Sequence, residues 1–163
     1  MDADLSHDPA YIPALLEACE SADLVIGSRY CHGGGVKNWP THRVMLSKFA
    51  CWYVQLVGKL PMKDATAGFR CWTRRALQAV EIDSLHSEGY SFQVEMGHRA
   101  SRAGMKIVES PIVFTDRQFG KSKISRSVIF ESFLMPWRLR FSPWKPLHRI
   151  AVTKRAEATP GSD

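Results

Sequence analysis

Five stretches of this chain carry helical spacing or helix-start chemistry, and two short apolar runs between them read as strands. Ile12, Leu15, Leu16 and Cys19 recur at helical spacing behind a proline-bounded start, which predicts a helix within residues 8–22. Residues 23–29, Asp-Leu-Val-Ile-Gly-Ser-Arg, form a short run that fits a buried strand. His32-Gly-Gly-Gly and Asn38-Trp-Pro then predict a flexible loop by composition. A long helix follows from near Thr41, with Met45, Phe49, Trp52 and Leu56 on one face and Arg43 and Ser47, one turn apart, on another. Residues 73–80 read as a short helix. Residues 91–102 read as a helix with Phe92, Met96 and Ala100 turned inward, and residues 106–113 as a strand. A last helix is expected over residues 125–141, with Ile129, Phe133, Leu134 and Trp137 on one side and a kink at Pro136. Strands that alternate with helices define the class as α/β.

Length adds a bound to this pattern. A chain of 163 residues, 45% of them hydrophobic, builds one core and not two, so it is one domain or a piece of one. No run approaches the roughly 20 apolar residues of a membrane span, and the acidic opening Met-Asp-Ala-Asp does not read as a signal peptide, so the cytoplasmic side is expected. Cys19, Cys31, Cys51 and Cys71 stand far apart without a C-x-x-C pair, which points to reduced, structural thiols.

Charge is unevenly distributed. Residues 1–116 hold 12 Lys/Arg against 13 Asp/Glu, a net of −1, whereas residues 117–163 hold 10 against 3, a net of +7. Trp137, Phe141 and Trp144 alternate there with Arg138, Arg140 and Lys145, a composition suited to an anionic membrane surface. A merely solvated tail is the plainer reading. Nucleic acid is the least favoured partner, because no helix-turn-helix, zinc-finger or RNP signature accompanies the charge. Beyond Ser142 the Pro, Lys and Arg content predicts a basic disordered tail over 142–163.

Five segments hold residues able to do chemistry. Asp2-Ala-Asp4 sets two carboxylates at a spacing that lets both approach one divalent cation and the diphosphate it neutralises; alone, such a pair is more often a solvated turn. A strand ending Gly27-Ser-Arg29-Tyr could bring an arginine towards the same anion. Asp64-Ala-Thr-Ala-Gly68-Phe-Arg70 is a tight turn flanked by an acid and a base, or simply a capped loop. Gly89-Tyr-Ser-Phe-Gln93-Val-Glu95-Met opens a helix that turns Glu95 and Arg99 to one face, as a functional pair or a surface ion pair. Phe114-Thr-Asp-Arg117-Gln-Phe-Gly120-Lys-Ser-Lys123 runs into a loop able to wrap a phosphate, or to stand as an exposed basic loop.

Taken jointly, Met-Asp-Ala-Asp-x-x-His, Gly-Ser-Arg-Tyr, Gly-Gly-x-Val-x-x-Trp, Asp-x-Thr-x-Gly-Phe-Arg, Gly-Tyr-x-Phe-Gln-x-Glu-Met and Arg-x-x-Gly-x-Ser-Lys occur in one order along residues 1–141. In this the chain resembles the polyprenol (dolichol) monophosphate mannose synthases, family 2 glycosyltransferases of the Rossmann-like GT-A fold. The resemblance implies that Asp2, Asp4 and Ser6 hold Mg²⁺ or Mn²⁺ and that Ala3 contacts the nucleotide through its backbone. It implies that Arg29, Arg117 and Lys123 neutralise the diphosphate of GDP-mannose, and that Arg43 and Ser47 hold the phosphate of a polyprenyl phosphate. Asp64 takes a structural or sugar-orienting role. The implied reaction is inverting transfer of mannose to give polyprenyl β-mannosyl phosphate. A membrane surface and a membrane-anchoring partner protein are the further expected partners.

Two departures stand out. Ala67 occupies a position where the family pattern has Ser, and the first βαβ units that grip the nucleotide base are missing, so residues 1–141 are expected to be the C-terminal part of a GT-A domain that includes an amphipathic helix over 127–141. Such a fragment alone is expected to be inactive. Three alternatives stay open: a related polyprenyl-phosphate glucosyltransferase, a non-catalytic lipid-phosphate or membrane-binding module, and a basic nucleic-acid binder.

Overall fold

A computed structural model describes residues 1, 4, 6–85, 87, 89–116, 126–142 and 144; within 126–132 only the backbone is described. Its first helix, α1 (Ile12–Cys19), follows a single 3-10 turn at Pro9–Tyr11 capped by Asp8, whose carboxylate accepts from the Ala10 N–H at 2.9 Å. Leu15 alone among the α1 residues is buried, while Ile12 and Leu16 are exposed, so the helix meets the sheet along a narrow stripe.

The central strand is β1 (Leu24–Ser28), buried at every position. It pairs in parallel with β4 (Ile107–Pro111), from Leu24 opposite Ile107 to Ser28 opposite Pro111, and antiparallel with β3 (Arg70–Trp72). The order of this sheet is therefore β3-β1-β4. Alternation along β1 divides the core. Val25 faces Leu15, Phe69 and Ile112 on the α1 side, whereas Leu24 and Ile26 face a larger cluster with Val54, Met62, Val94 and Met135. Each such fully buried aliphatic side chain contributes about 1.5–3 kcal/mol.

Residues 106–113 do not form one continuous strand. Pro111 has no N–H to donate, and at Ile112 the chain changes partner: the Ile112 N–H donates to Ser28 O at 3.1 Å, while Ile112 O accepts from the Gly35 N–H at 3.0 Å. The following strand, β5 (Val113–Thr115), pairs in parallel with β2 (Gly35–Lys37) in a second, two-stranded sheet. The Gly-rich segment expected to be a flexible loop thus contains a strand. Gly34 is required at its entry, because a Cβ there would lie 2.5 Å from Ser28 O.

The long helix is α2 (Thr41–Gly58), and it ends on Lys59 in the left-handed conformation. Met45, Phe49, Trp52 and Leu56 share a face as expected, and that face is exposed; Cys51, Val54 and Val57 make the buried one. The short helix α3 (Arg74–Val80) starts as expected, with Thr73 Oγ1 accepting from the Ala76 N–H at 3.2 Å. The helix α4 (Gly89–Arg102) buries Met96 and Ala100 and half-buries Phe92. The last helix, α5 (Arg126–Arg140), runs through Pro136 and packs on α2. Among its described side chains Met135, Pro136 and Leu139 are buried, so Phe133, Leu134 and Trp137 of the expected apolar side lie outward, while Ile129 falls outside the described side chains. Tyr53 on α2 stacks on Phe133 at 4.7 Å and accepts from Trp137 Nε1 at 2.9 Å.

The Glu95 and Arg99 pair is buried, not on the surface. Arg99 Nη2 donates to Glu95 Oε1 at 2.7 Å, and Nη1 donates to Val80 O at 3.1 Å and to Ser84 Oγ at 2.5 Å. The guanidinium closes off the carbonyls at the C-terminal end of α3, and the Trp144 ring covers it at 5.1 Å. That arrangement gives the pair a structural role. Apart from Ser142 and Trp144, the tail 142–163 lies outside the described residues.

Candidate active site

Gly27 near the carboxyl end of β1, Ile112 just beyond β4 and Phe114 of β5 line a cleft, the position where open α/β sheets bind ligands. Its cavity holds about 50 Å³ between His7, Arg29, Trp39, Arg43, Gly68 and Phe114. Ser28 ends β1 by accepting the N–H groups of Tyr30 and Cys31 on its Oγ, at 3.2 and 3.1 Å. The chain turns there, and Arg29 points back across the sheet end.

Arg29 meets Asp64 through three hydrogen bonds. Its backbone N–H and Nε both donate to Oδ2, at 3.0 and 2.7 Å, and Nη2 donates to Oδ1 at 2.6 Å. Nη2 also reaches Thr66 Oγ1 at 2.9 Å. The Asp64 side chain is fully buried and that of Arg29 is 9% exposed. Burial pulls the Arg29 pKa down, but the hydrogen bond and charge of Asp64 outweigh it, so the guanidinium is held more firmly charged than usual. The resemblance gave Arg29 to the diphosphate and left Asp64 a structural or orienting part. The structure makes them one clamp, with much of the guanidinium's charge already compensated.

Arg70 is a second staple of the same turn. Its guanidinium donates to Ala67 O at 2.8 Å, Ala65 O at 2.7 Å and, across to α4, Gln93 O at 2.7 Å. Burial lowers its pKa to about 10, against the charge of Asp64, which raises it. The turn that carries Asp64, Thr66 and Gly68 into the cleft is therefore held from both sides.

Arg43 and Ser47 stand one turn apart on α2, as their spacing predicts. Arg43 Nη1 donates to both oxygens of Asp116 at 3.0 Å, and its guanidinium lies over the Trp39 ring at 4.1 Å. Trp39 also lies 5.6 Å from the Arg29 guanidinium, so two cations share one indole. Ser47 Oγ accepts from the Tyr30 hydroxyl at 2.7 Å. Burial raises the Tyr30 pKa, against the hydrogen bond to Ser47, so the phenol stays protonated and is the donor.

Of the expected metal set, Asp4 and Ser6 come together: Ser6 Oγ donates to Asp4 Oδ1 at 2.5 Å and the Ser6 N–H to the same oxygen at 3.1 Å. Ser6 O accepts from the Thr115 N–H at 3.2 Å, which ties this segment to β5 beside Asp116. Asp2, Ala3, Arg117 and Lys123 lie outside the described residues. Among the described residues no cluster of three or more His, Cys, Asp or Glu side chains forms. Two oxygen donors nonetheless fit Mg²⁺ or Mn²⁺, which usually take one or two carboxylates and leave the remaining positions to water and substrate phosphates.

Sequence reasoning gave no role to four cleft residues. His7 is buried between Phe69 and Phe114, with ring centroids 5.0 and 5.1 Å away. Trp39 packs edge-on against Phe114 at 5.5 Å. Tyr30 and Asp116 hold Ser47 and Arg43. His7 and Trp39 were present in the motif pattern, but nothing in their spacing says what they touch.

A buried Arg–Asp clamp, a second guanidinium on a half-buried indole and a carboxylate–hydroxyl pair gather at the strand ends of an α/β protein. No family model matches the chain. It is 46% identical over 132 residues to an undecaprenyl-phosphate mannosyltransferase of Micrococcus luteus, covering 81% of this chain and 54% of that protein. It is 43% identical over 143 residues to a polyprenol monophosphomannose synthase of Mycolicibacterium smegmatis, covering 86% and 54%. A dolichol-phosphate mannosyltransferase of Pyrococcus furiosus is 36% identical over 146 residues, covering 85% and 39%. These proteins are homologues of the chain over most of its length, and it spans about half the length of the first two.

Proposed function

We propose that this chain carries the acceptor side and part of the donor side of a polyprenyl-phosphate mannosyltransferase. The reaction is transfer of mannose from GDP-mannose to a polyprenyl phosphate with inversion at C1, on a GT-A domain. The observation that carries the reading is the placement of Arg43 and Ser47 on one face of α2, across Trp39 from the Arg29–Asp64 clamp. That arrangement supports one anion seat at the helix and a second near the strand ends, as a reaction between a lipid phosphate and a nucleotide sugar needs.

The nucleophile is a phosphate oxygen that is already anionic at neutral pH, so the protein needs no strong base. Rate comes from positioning and from charge neutralisation. Arg43 and Ser47 hold the acceptor phosphate, and Arg29, with Arg117 and Lys123, faces the leaving diphosphate. Asp2, Asp4 and Ser6 would hold Mg²⁺ or Mn²⁺, with Ala3 against the nucleotide. The metal, when bound, neutralises charge developing on the diphosphate.

No helix among the described residues is long and apolar enough to cross a membrane. Attachment from one face of the bilayer is supported by the exposed Met45, Phe49, Trp52 and Leu56 of α2 beside Phe133, Trp137 and Phe141 at α5. Such a surface suits shallow burial among headgroups, with Arg138 and Arg140 facing anionic lipid.

The test is transfer of labelled mannose from GDP-mannose to a short polyprenyl phosphate with Mg²⁺ or Mn²⁺. It uses this chain and a version extended upstream to the length of its relatives. Transfer by the extended version that is abolished by Asp4→Asn supports the reading. Transfer from UDP-glucose instead would replace the sugar, and silence with every donor would overturn the reaction.

A further inference from the structure

Arg43, the residue proposed to receive the acceptor phosphate, already carries an anion. Asp116 stands immediately after β5, its backbone fixed by donation from its N–H to Lys37 O at 3.2 Å, and both its carboxylate oxygens accept from Arg43 Nη1 at 3.0 Å. Trp39 covers one face of the guanidinium at 4.1 Å. The two partners are 34% and 29% exposed, in sharp contrast to the buried Arg29–Asp64 clamp.

We propose that Asp116 is an internal competitor for the phosphate seat on Arg43, so that a phosphate monoester binds by displacing its carboxylate. This deepens the acceptor reading and rests on it. Charge and exposure decide the direction. A half-exposed ion pair contributes only about 0–1 kcal/mol, so little is lost when it opens. A phosphate monoester brings a charge of about −1.5 to −2 and three acceptor oxygens that match the guanidinium fork, so it outcompetes a single carboxylate. Ser47 strengthens the replacement. Its oxygen accepts from Tyr30 at 2.7 Å, which leaves its own proton to donate elsewhere, and it stands one turn from Arg43 on the same helix. Asp116 thereby sets the acceptor affinity and keeps Arg43 aligned on Trp39 while the seat holds no phosphate.

The experiment measures binding without relying on transfer. Isothermal titration of the chain with citronellyl phosphate, citronellol and inorganic phosphate is carried out on wild type, Asp116→Asn and the double variant Arg43→Gln/Asp116→Asn. Asp116→Asn is isosteric and half-exposed, and its melting temperature reports its folding. The expected result is about three- to fivefold tighter citronellyl phosphate binding by Asp116→Asn, the worth of one partly exposed pair. The double variant is expected to lose that gain, and citronellol to show no change. A parallel gain with inorganic phosphate assigns the competition to the phosphate alone; a gain with the lipid phosphate only assigns it to the seated acceptor. Unchanged or weaker binding by Asp116→Asn overturns the proposal, as does a gain that survives loss of Arg43. Failure of mannose transfer by an extended version that still shows the Asp116→Asn gain would instead fall on the reaction.

Discussion

Arg29 and Asp64, 35 positions apart in the chain, meet in a two-pronged ion pair at 2.6–2.7 Å with no solvent on the carboxylate. Opening a buried pair from one side leaves an uncompensated charge, which costs about 3–5 kcal/mol. Asp64→Asn is therefore expected to lose about that much stability in urea unfolding. Arg29→Lys keeps the charge but cannot make both prongs, so it is expected to lose less, about 1–3 kcal/mol. A loss below about 1 kcal/mol for either variant would show that the clamp is solvated.

Tyr30→Phe removes only the hydroxyl that donates to Ser47. A hydrogen bond of this kind contributes about 0.5–1.5 kcal/mol, which, for the proposed reaction in the version extended to the length of its relatives, predicts a two- to twelvefold higher KM for the polyprenyl phosphate at little change in the KM for GDP-mannose. Steady-state kinetics with each substrate varied in turn separates these. Equal changes in both constants would assign the phenol to the fold alone.

The sequence made the five helices and β1 legible, and left β2, β3, the break before β5 and most side-chain partners hidden. Thr73 signals its helix because capping is local chemistry, and the 3.6-residue period of α2 is visible in its own side chains. Which face of that helix is buried is not local: Val54 goes inward onto Leu24, Ile26 and Val94, Cys51 meets Asp64 and Thr66, and Phe49 and Trp52 stay out. The same holds for the site. Arg43 and Ser47 were readable as a pair, whereas Asp116 and Tyr30, 73 and 17 positions away, become their partners only through the β2–β5 and β1 geometry. The break at Ile112 was hidden for a similar reason, since an apolar residue after proline suits either one strand or two.

His98 lies buried in α4, and burial first, then the charge of Arg102, lowers its pKa from 6.5 to about 4. Between those values the unfolded chain binds the proton and the folded chain does not. Stability is therefore whole above pH 6.5 and falls as the pH drops towards 4, by up to about 3 kcal/mol. His98→Gln is expected to flatten that part of the curve in urea titrations at pH 4.5, 5.5 and 7. An unchanged slope would place the acid sensitivity elsewhere.

Phe49 and Trp52 lie against each other on the exposed face of α2, with ring centroids 5.7 Å apart. If this face enters headgroups, Phe49→Ser/Trp52→Ser should weaken sedimentation with anionic vesicles by at least about tenfold, since each ring loses some 1.5–3 kcal/mol of apolar burial at full insertion. The fold should be unaffected, because neither ring is in the core. Vesicle binding equal to wild type would exclude this face as the contact.

The change of partner at Ile112 lets one short run of chain serve two sheets, and this freezes chain length at that point. One residue added between Pro111 and Val113 would reverse the parity of everything that follows. Phe114 would turn away from Trp39, and Asp116 would no longer meet Arg43. The turn at Cys31–Gly34, which only connects, carries no such constraint of parity. Variation in length across natural homologues and in engineered versions should therefore gather in the 31–34 turn and be excluded at 111–113, where the protein counts residues most strictly.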